Sequence, residues 1–187
     1  MTELIVNFVL NLVKELGYLG IFLMMTLESS FIPFPSEIAM IPAGYHASLG
    51  DMNIYLAFLA GTLGALFGAT INYFLGMKLG GPVIKTLIDK YGKYILLSKK
   101  HYSQAESFFQ KHGGVTTFNA RFIPAVRQLI SIPAGVFKYN FPKFLFLTGI
   151  GAGIWNIILL TIGYIAGENK ELITKYSHEA IIGTIFL

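Results

Sequence analysis

The chain has 187 residues, of which 54% are hydrophobic and 13% charged, with a formal net charge of +4 and no cysteine. Soluble domains average about 25% charged residues, so this composition excludes a water-soluble protein and predicts an integral membrane protein. The missing cysteines exclude disulfides and thiolate or cysteine-metal chemistry, and a chain with only two arginines and no interleaved aromatic platform is not expected to bind nucleic acid.

The first 16 residues show helical periodicity, with apolar side chains on one face and polar ones on the other. This pattern predicts an amphipathic helix at the membrane interface. The alternative is one long span over residues 4–27, which would place Lys14 and Glu15 near mid-membrane at a cost of about 2.5 to 3.5 kcal/mol each. No basic n-region or Ala-x-Ala cleavage site marks a signal peptide, so we expect the N-terminus to be mature.

A proline-rich segment follows at residues 31–44, which read FIPFPSEIAMIPAG. Proline removes a backbone donor and disrupts a helix interior, so the prolines near both ends predict two interruptions within about three turns. Irregular backbone is tolerated at membrane depth only where it is buried in protein or lines a watery cavity. We therefore predict a re-entrant hairpin with breaks at Pro33 and Pro35, beside the acidic residues Glu28 and Glu37.

Two stretches, residues 54–75 and 144–165, contain no charged side chain. At about 1.5 Å per residue, about 20 apolar residues cross a hydrocarbon core. Both stretches are predicted to be transmembrane helices, and the lysine-free loop at residues 50–53 is predicted to lie outside the cell.

Between the spans, residues 76–117 carry seven lysines, opposed only by Asp89 and Glu106. Cytoplasmic loops carry an excess of basic residues, so this segment is predicted to be cytoplasmic. Its lysines are mixed with apolar residues, which predicts helices lying on the inner membrane interface. The segment is too short for a soluble domain.

The second half of the chain repeats the first. Residues 122–135 read FIPAVRQLISIPAG and match residues 31–44 at seven of fourteen positions, with breaks expected at Pro124 and Pro133. Glycines in the first span recur at the same spacing in the second, so we expect one membrane domain over residues 1–187, with repeat 1 at about 1–80 and repeat 2 at about 99–167. One crossing separates the two hairpins, which predicts an inverted repeat with a substrate site where its broken helices meet.

The hairpins carry opposite charges: Glu28 and Glu37 in the first, Arg121 and Arg127 in the second. Intramembrane charges are costly, so the four should face the interior and pair with each other, a substrate or water. Two arginines beside a helix break could bind a phosphate group through forked hydrogen bonds, while both glutamates are candidates for proton coupling, since burial favours a neutral carboxyl. A salt bridge that only clamps the helices is the alternative.

A set of short motifs occurs in a fixed order along nearly the whole chain. Those in the first half are Glu28, Pro33, Pro35, Ser36, Glu37, Gly64, Gly68, Asn72, Tyr73, Gly76 and Gly80. Those in the second half are Phe118, Arg121, Phe122, Pro124, Arg127, Pro133-Ala134-Gly135, Trp155 and Gly163-Tyr164. By these motifs the chain resembles the DedA family, also described as the SNARE-associated Golgi protein domain. The resemblance implies a bacterial membrane protein that translocates lipid, either undecaprenyl phosphate or phospholipid, with the hairpin acids and arginines as the functional set, here Glu28, Glu37, Arg121 and Arg127.

One departure concerns the end of the chain. Family members usually finish with a further spanning helix, whereas residues 168–179 are polar and only eight residues follow. A homo-oligomer that uses such a helix is therefore an open hypothesis.

Two other functions compete with lipid transport: a lipid-phosphate hydrolase and a scaffold that transports nothing. The scattered histidines offer no metal pair and no base beside a serine, so we expect neither catalytic residues nor a metal or cofactor. We interpret the aromatic residues, including Tyr73 and Trp155, mostly as interfacial belt and packing residues.

Overall fold

The computed structural model describes residues 16–30, 35–80, 99–123 and 126–168, and these residues form helices and short connections with no strand among them. The predicted all-α class is confirmed. Several regions named above lie outside the described residues: nearly all of the predicted N-terminal amphipathic helix, the prolines Pro33 and Pro124, residues 81–98 and the polar tail from residue 169. The α-helices are α1 Tyr18–Glu28, α2 Glu37–Ser48, α3 Ile54–Leu75, α4 Lys99–Ala120, α5 Val126–Leu129, α6 Ser131–Val136 and α7 Phe141–Ile165.

Two helices of the described chain are long and apolar enough to cross a membrane, at the positions predicted. The first, Ile54–Lys78, consists of α3 and part of the π-helical turn Gly76–Gly80 that follows it, and the second is Phe141–Ile165. Each has 25 residues, with mean hydropathy of 1.8 and 2.0. Each would extend about 37 Å, more than a hydrocarbon core of about 30 Å. The second begins earlier than expected because the side chain of Asn140 caps it, accepting the Lys143 N–H at 3.0 Å.

The helix breaks differ in one respect from the prediction of two interruptions per copy. Pro35 does lie in the break before α2, where its carbonyl accepts the Ile38 N–H. However, Pro42 lies inside α2, and Pro133 lies in the first turn of α6, after a turn at Ile130. A proline is tolerated in a first turn because that N–H has no acceptor there. Pro133 therefore lies in the first turn after a helix interruption, whereas α2 continues past Pro42.

The two copies of the repeat pack in a crossed arrangement. Helix α1 packs along α3 and α4 along α7, whereas α2 packs on α7 and α6 packs on α3 with its π-helical turn. Gly44 of α2 and Gly163 of α7 are each so close to the other helix that a Cβ would collide with its backbone, and Gly135 of α6 and Gly76 do the same at the other contact. The last helix of each proline segment thus lies against the span of the other copy.

The apolar core consists of two clusters around these contacts. One joins α1 and α2 to α3 and α7, and the other joins α4 and α6 to the same two long helices. Both long helices therefore contribute to both clusters, in which α1, α2, α4 and α6 pack against them.

Gly163→Ala should destabilise the protein through the α2–α7 contact. Its new Cβ would meet the carbonyl of Ile41, and overpacking of this kind costs about 1 to 3 kcal/mol. Gly149→Ala in the same helix is the matched control, because its Cβ would be 3.6 Å from the side chain of Leu66, an ordinary contact. We expect thermal unfolding in detergent to show a lower melting temperature for the first variant only. Equal melting temperatures would contradict backbone contact between α2 and α7.

Candidate functional site

A set of polar side chains is buried among the apolar helices. Glu28 is only 2% exposed and Arg121 only 5%. Burial of charged and polar groups without partners is costly, so the contacts of each of these side chains show how its charge or polar atoms are paired. The other buried polar residues of the described chain are Ser29, Ser36, Asn72, Thr117, Ser131, Thr148 and Asn156.

Glu28 and Arg127 form an ion pair between the first and second copies. The same guanidinium nitrogen of Arg127 donates to the hydroxyl of Ser36 at 2.7 Å, and the guanidinium lies over the ring of Trp155, 5.4 Å from its centroid. Ser29 donates to the other carboxylate oxygen of Glu28 at 2.9 Å, and the Trp155 indole N–H donates to Ser36 at 3.2 Å. Arg127 is thus held by a carboxylate, a hydroxyl and an aromatic face at once.

Arg121 has a different environment. One of its guanidinium nitrogens donates to the hydroxyls of Ser131 at 3.0 Å and Thr148 at 3.1 Å, and its Nε has no partner among the described residues. Within the described part of the chain, no carboxylate lies within ion-pair distance of it. As far as the structure describes the chain, this buried cation therefore has neutral hydrogen-bond partners and no direct counter-charge.

A small cavity of about 20 Å³ joins the two arginines. Its polar lining comes from Glu28, Ser29, Arg121, Arg127, Gln128 and Asn156. A cavity of this volume can hold about one water molecule. Among the described residues, neither the Asn156 side-chain oxygen nor the Arg121 Nε has a hydrogen-bond partner, so two of the residues that line the cavity each have an unused polar atom.

Glu37 lies beside this cavity rather than on it. It is half-buried at the first position of α2 and within electrostatic range of Arg127 and Glu28, but it forms no salt bridge with another described residue. The free N–H groups and dipole of a helix N-terminus favour a negative charge there. Of the four predicted site residues, three line the cavity and the fourth is close to two of them.

The sequence analysis missed several partners of these charges. Trp155 packs against the apolar core, as its interpretation as a packing residue predicts, but its ring and its N–H also contact Arg127 and Ser36. Thr148 and Asn156 were not singled out, although both are polar residues in a long apolar helix. Such residues are rare in membrane spans and usually face the interior, and this signal could have identified them.

The described histidines lie away from the cavity. His46 is 3.3 Å from Asp51 in the connection between α2 and α3, and the ring of His112 contacts that of Phe108 on α4. Neither residue lines the cavity, so neither can act as a base there in this conformation.

Comparison with known proteins identifies the family. The VTT domain matches residues 34–165. A protein of Lactococcus lactis subsp. cremoris named alkaline phosphatase-like is 36% identical over 96% of this chain and 87% of its own. Undecaprenyl phosphate transporter A of Bacillus subtilis is 36% identical over 89% and 80%, and protein DedA of Escherichia coli is 30% identical over 84% and 73%. No solved structure matches. The domain match and these similarities show that the chain belongs to the VTT domain family of bacterial membrane proteins, also known as the DedA family.

Proposed function

We propose that this protein moves a phosphate-bearing lipid between the leaflets of the cytoplasmic membrane, with the phosphate bound by Arg121 and Arg127. The observation that carries the proposal is the buried Arg121, which lines the same cavity as Arg127 and whose partners among the described residues are hydroxyls. An ion buried without a counter-charge costs several kcal/mol. A phosphate group would supply that counter-charge together with several hydrogen-bond acceptors.

The name of the Bacillus relative favours undecaprenyl phosphate as the lipid, with phospholipid as the alternative. Arg127 is already paired with Glu28, so an incoming phosphate must compete with that carboxylate. The cavity of about 20 Å³ is far smaller than a lipid headgroup, so the site must open to accept one. In this proposal the apolar tail stays among the membrane lipids, which the exposed apolar side chains of α3 and α7 contact.

The crossed packing of the two copies supports an opening of this kind. Each proline segment contacts the span of the other copy through glycines, as expected for two related units that can shift against each other around a central site. We propose that the segments are re-entrant hairpins of an inverted repeat, inserted from opposite faces of a multi-pass protein. Residues 76–117 then lie on the cytoplasmic side.

Proton coupling follows from the same competition. Displacing Glu28 from Arg127 would leave a buried carboxylate unpaired, and protonation removes that cost. In this proposal a proton accompanies the lipid, so transport should rise as the pH falls. Glu28→Gln mimics the protonated side chain and should make transport nearly independent of pH, as a pH series of initial rates would show. Glu37→Gln tests the second candidate. If both variants kept the native pH dependence, proton coupling would be excluded.

Purified protein in liposomes tests the function itself. A polyprenyl phosphate and a phospholipid, each carrying a label that a membrane-impermeant reagent can quench, are placed in both leaflets, and the quenchable fraction is followed over time. We expect the fraction to grow beyond the outer-leaflet share for the transported lipid. Release of inorganic phosphate would favour the hydrolase, a possibility raised by the name of the Lactococcus relative. Neither change would favour a scaffold.

A further inference from the structure

Asn72 lies in the last turn of α3 and is fully buried. Its Nδ2 donates to the backbone carbonyl of Ser29 at 3.1 Å and to that of Gln128 at 3.3 Å. Both neighbours are acceptors, which fixes the orientation of the amide with its nitrogen toward them. One side chain therefore bonds to both interrupted segments of the protein.

The two carbonyls have a common position relative to the proposed site. Ser29 directly follows Glu28 and Gln128 directly follows Arg127, so Asn72 holds the backbone next to each member of the ion pair. Helix ends leave carbonyls without intrahelical donors, and Ser29 is the C-cap residue of α1. The amide supplies a donor at that point.

Two glycines on the same face of α3 support this role. Gly68 and Gly76 lie one turn before and one turn after Asn72, at the spacing of residues that share a helix face. A Cβ at Gly68 would be 2.8 Å from the Cβ of Ser29, and one at Gly76 would collide with the backbone of Ile132. The end of α1 at Ser29 and the start of α6 at Ile132 therefore both pack closely on this face of the helix, on either side of Asn72.

We infer that Asn72 is a positioning residue that sets the spacing between the two interrupted segments, and with it the geometry of Glu28 and Arg127. The inference rests on the proposed function only where it links this geometry to lipid transport, since the hydrogen bonds of Asn72 form without a substrate. The Oδ1 of Asn72 has no partner in the part of the chain that the structure describes, so the observed contacts of the amide are those of its donor nitrogen.

The absence of cysteine from the whole sequence allows the spacing to be measured directly. Leu27→Cys and Leu129→Cys place spin labels at side chains that are 43% and 56% exposed, one beside each carbonyl. Electron spin resonance then gives the distance distribution between them, with and without Asn72→Leu, a variant of similar volume that has no donors. Thr70→Val is the matched control, because within the described residues the Thr70 hydroxyl bonds to Leu66 of its own helix and to no other element.

We expect one narrow distance peak with Asn72 or with Thr70→Val, and a broadened or shifted one with Asn72→Leu. In liposomes without spin labels, Asn72→Leu should lower the maximal transport rate about tenfold or more, as displacement of reacting groups by about 1 Å can. Thr70→Val should stay near the native rate. An unchanged peak and rate in Asn72→Leu would overturn the inference.

If Asn72→Leu is not monodisperse in detergent, the comparison moves to Asn72→Ser, which retains one donor on a smaller side chain. A distance peak broader than that of the native protein, together with a lower transport rate, would support the inference. A native peak width and a native rate would overturn it. The distance measurement contains no substrate. A failure of native protein to transport lipid would therefore count against the proposed function, whereas an unchanged distance would count against the role of Asn72.

Discussion

Arg127→Lys should abolish lipid transport while leaving the protein folded. Lysine keeps the positive charge that Glu28 needs, so the large cost of an unpaired buried carboxylate is avoided. It cannot reproduce the planar fork that contacts Glu28, Ser36 and the ring of Trp155 together. We expect the liposome rate to fall to the protein-free background, with a melting temperature close to that of the native protein.

The control for this variant is Lys111→Gln, which removes an exposed charge from α4 and should leave the rate unchanged. Full activity of Arg127→Lys would count heavily against a bidentate grip on phosphate. Loss of both folding and activity would instead indicate that Arg127 mainly clamps the two copies together, as the salt-bridge hypothesis holds.

The sequence predicted the parts of the fold that depend on composition and local pattern. The two long helices follow from stretches without charge, although the second begins earlier than expected because Asn140 caps it. The participation of charged residues in one interior site could also be expected, because intramembrane charges need partners. These inferences require no knowledge of which residues lie close in space.

The sequence could not predict pairings between distant positions. It offered Glu28 and Glu37 as equal candidates, whereas the structure pairs Glu28 with Arg127, 99 residues away, and leaves Glu37 beside the site. The same limit applies to the crossed packing of the proline segments and to the two carbonyls that share Asn72. Pro42 shows another limit, because it has the chemistry of a helix breaker but α2 extends past it.

Arg121→Met should have opposite effects on stability and transport. Methionine has a similar length and no charge, and its introduction removes a buried cation that has no carboxylate within ion-pair distance in the described chain. Replacing buried charges by apolar groups of similar volume is often neutral or stabilising by about 1 to 4 kcal/mol. The hydroxyls of Ser131 and Thr148 can turn to carbonyls of their own helices. We therefore expect an equal or higher melting temperature together with loss of lipid transport.

Arg127→Met is the matched comparison because it removes the other arginine of the cavity but leaves Glu28 without its partner. Breaking a buried pair in this way costs about 3 to 5 kcal/mol, so this variant should melt at a lower temperature, and adding Glu28→Gln should restore much of the loss without restoring transport. A protein held together by Arg121 would give the reverse result, with Arg121→Met strongly destabilised and any folded fraction still active. Only an anion-binding role predicts that removal of Arg121 costs function while sparing the fold, since the energy of burying this cation is then recovered when the phosphate arrives.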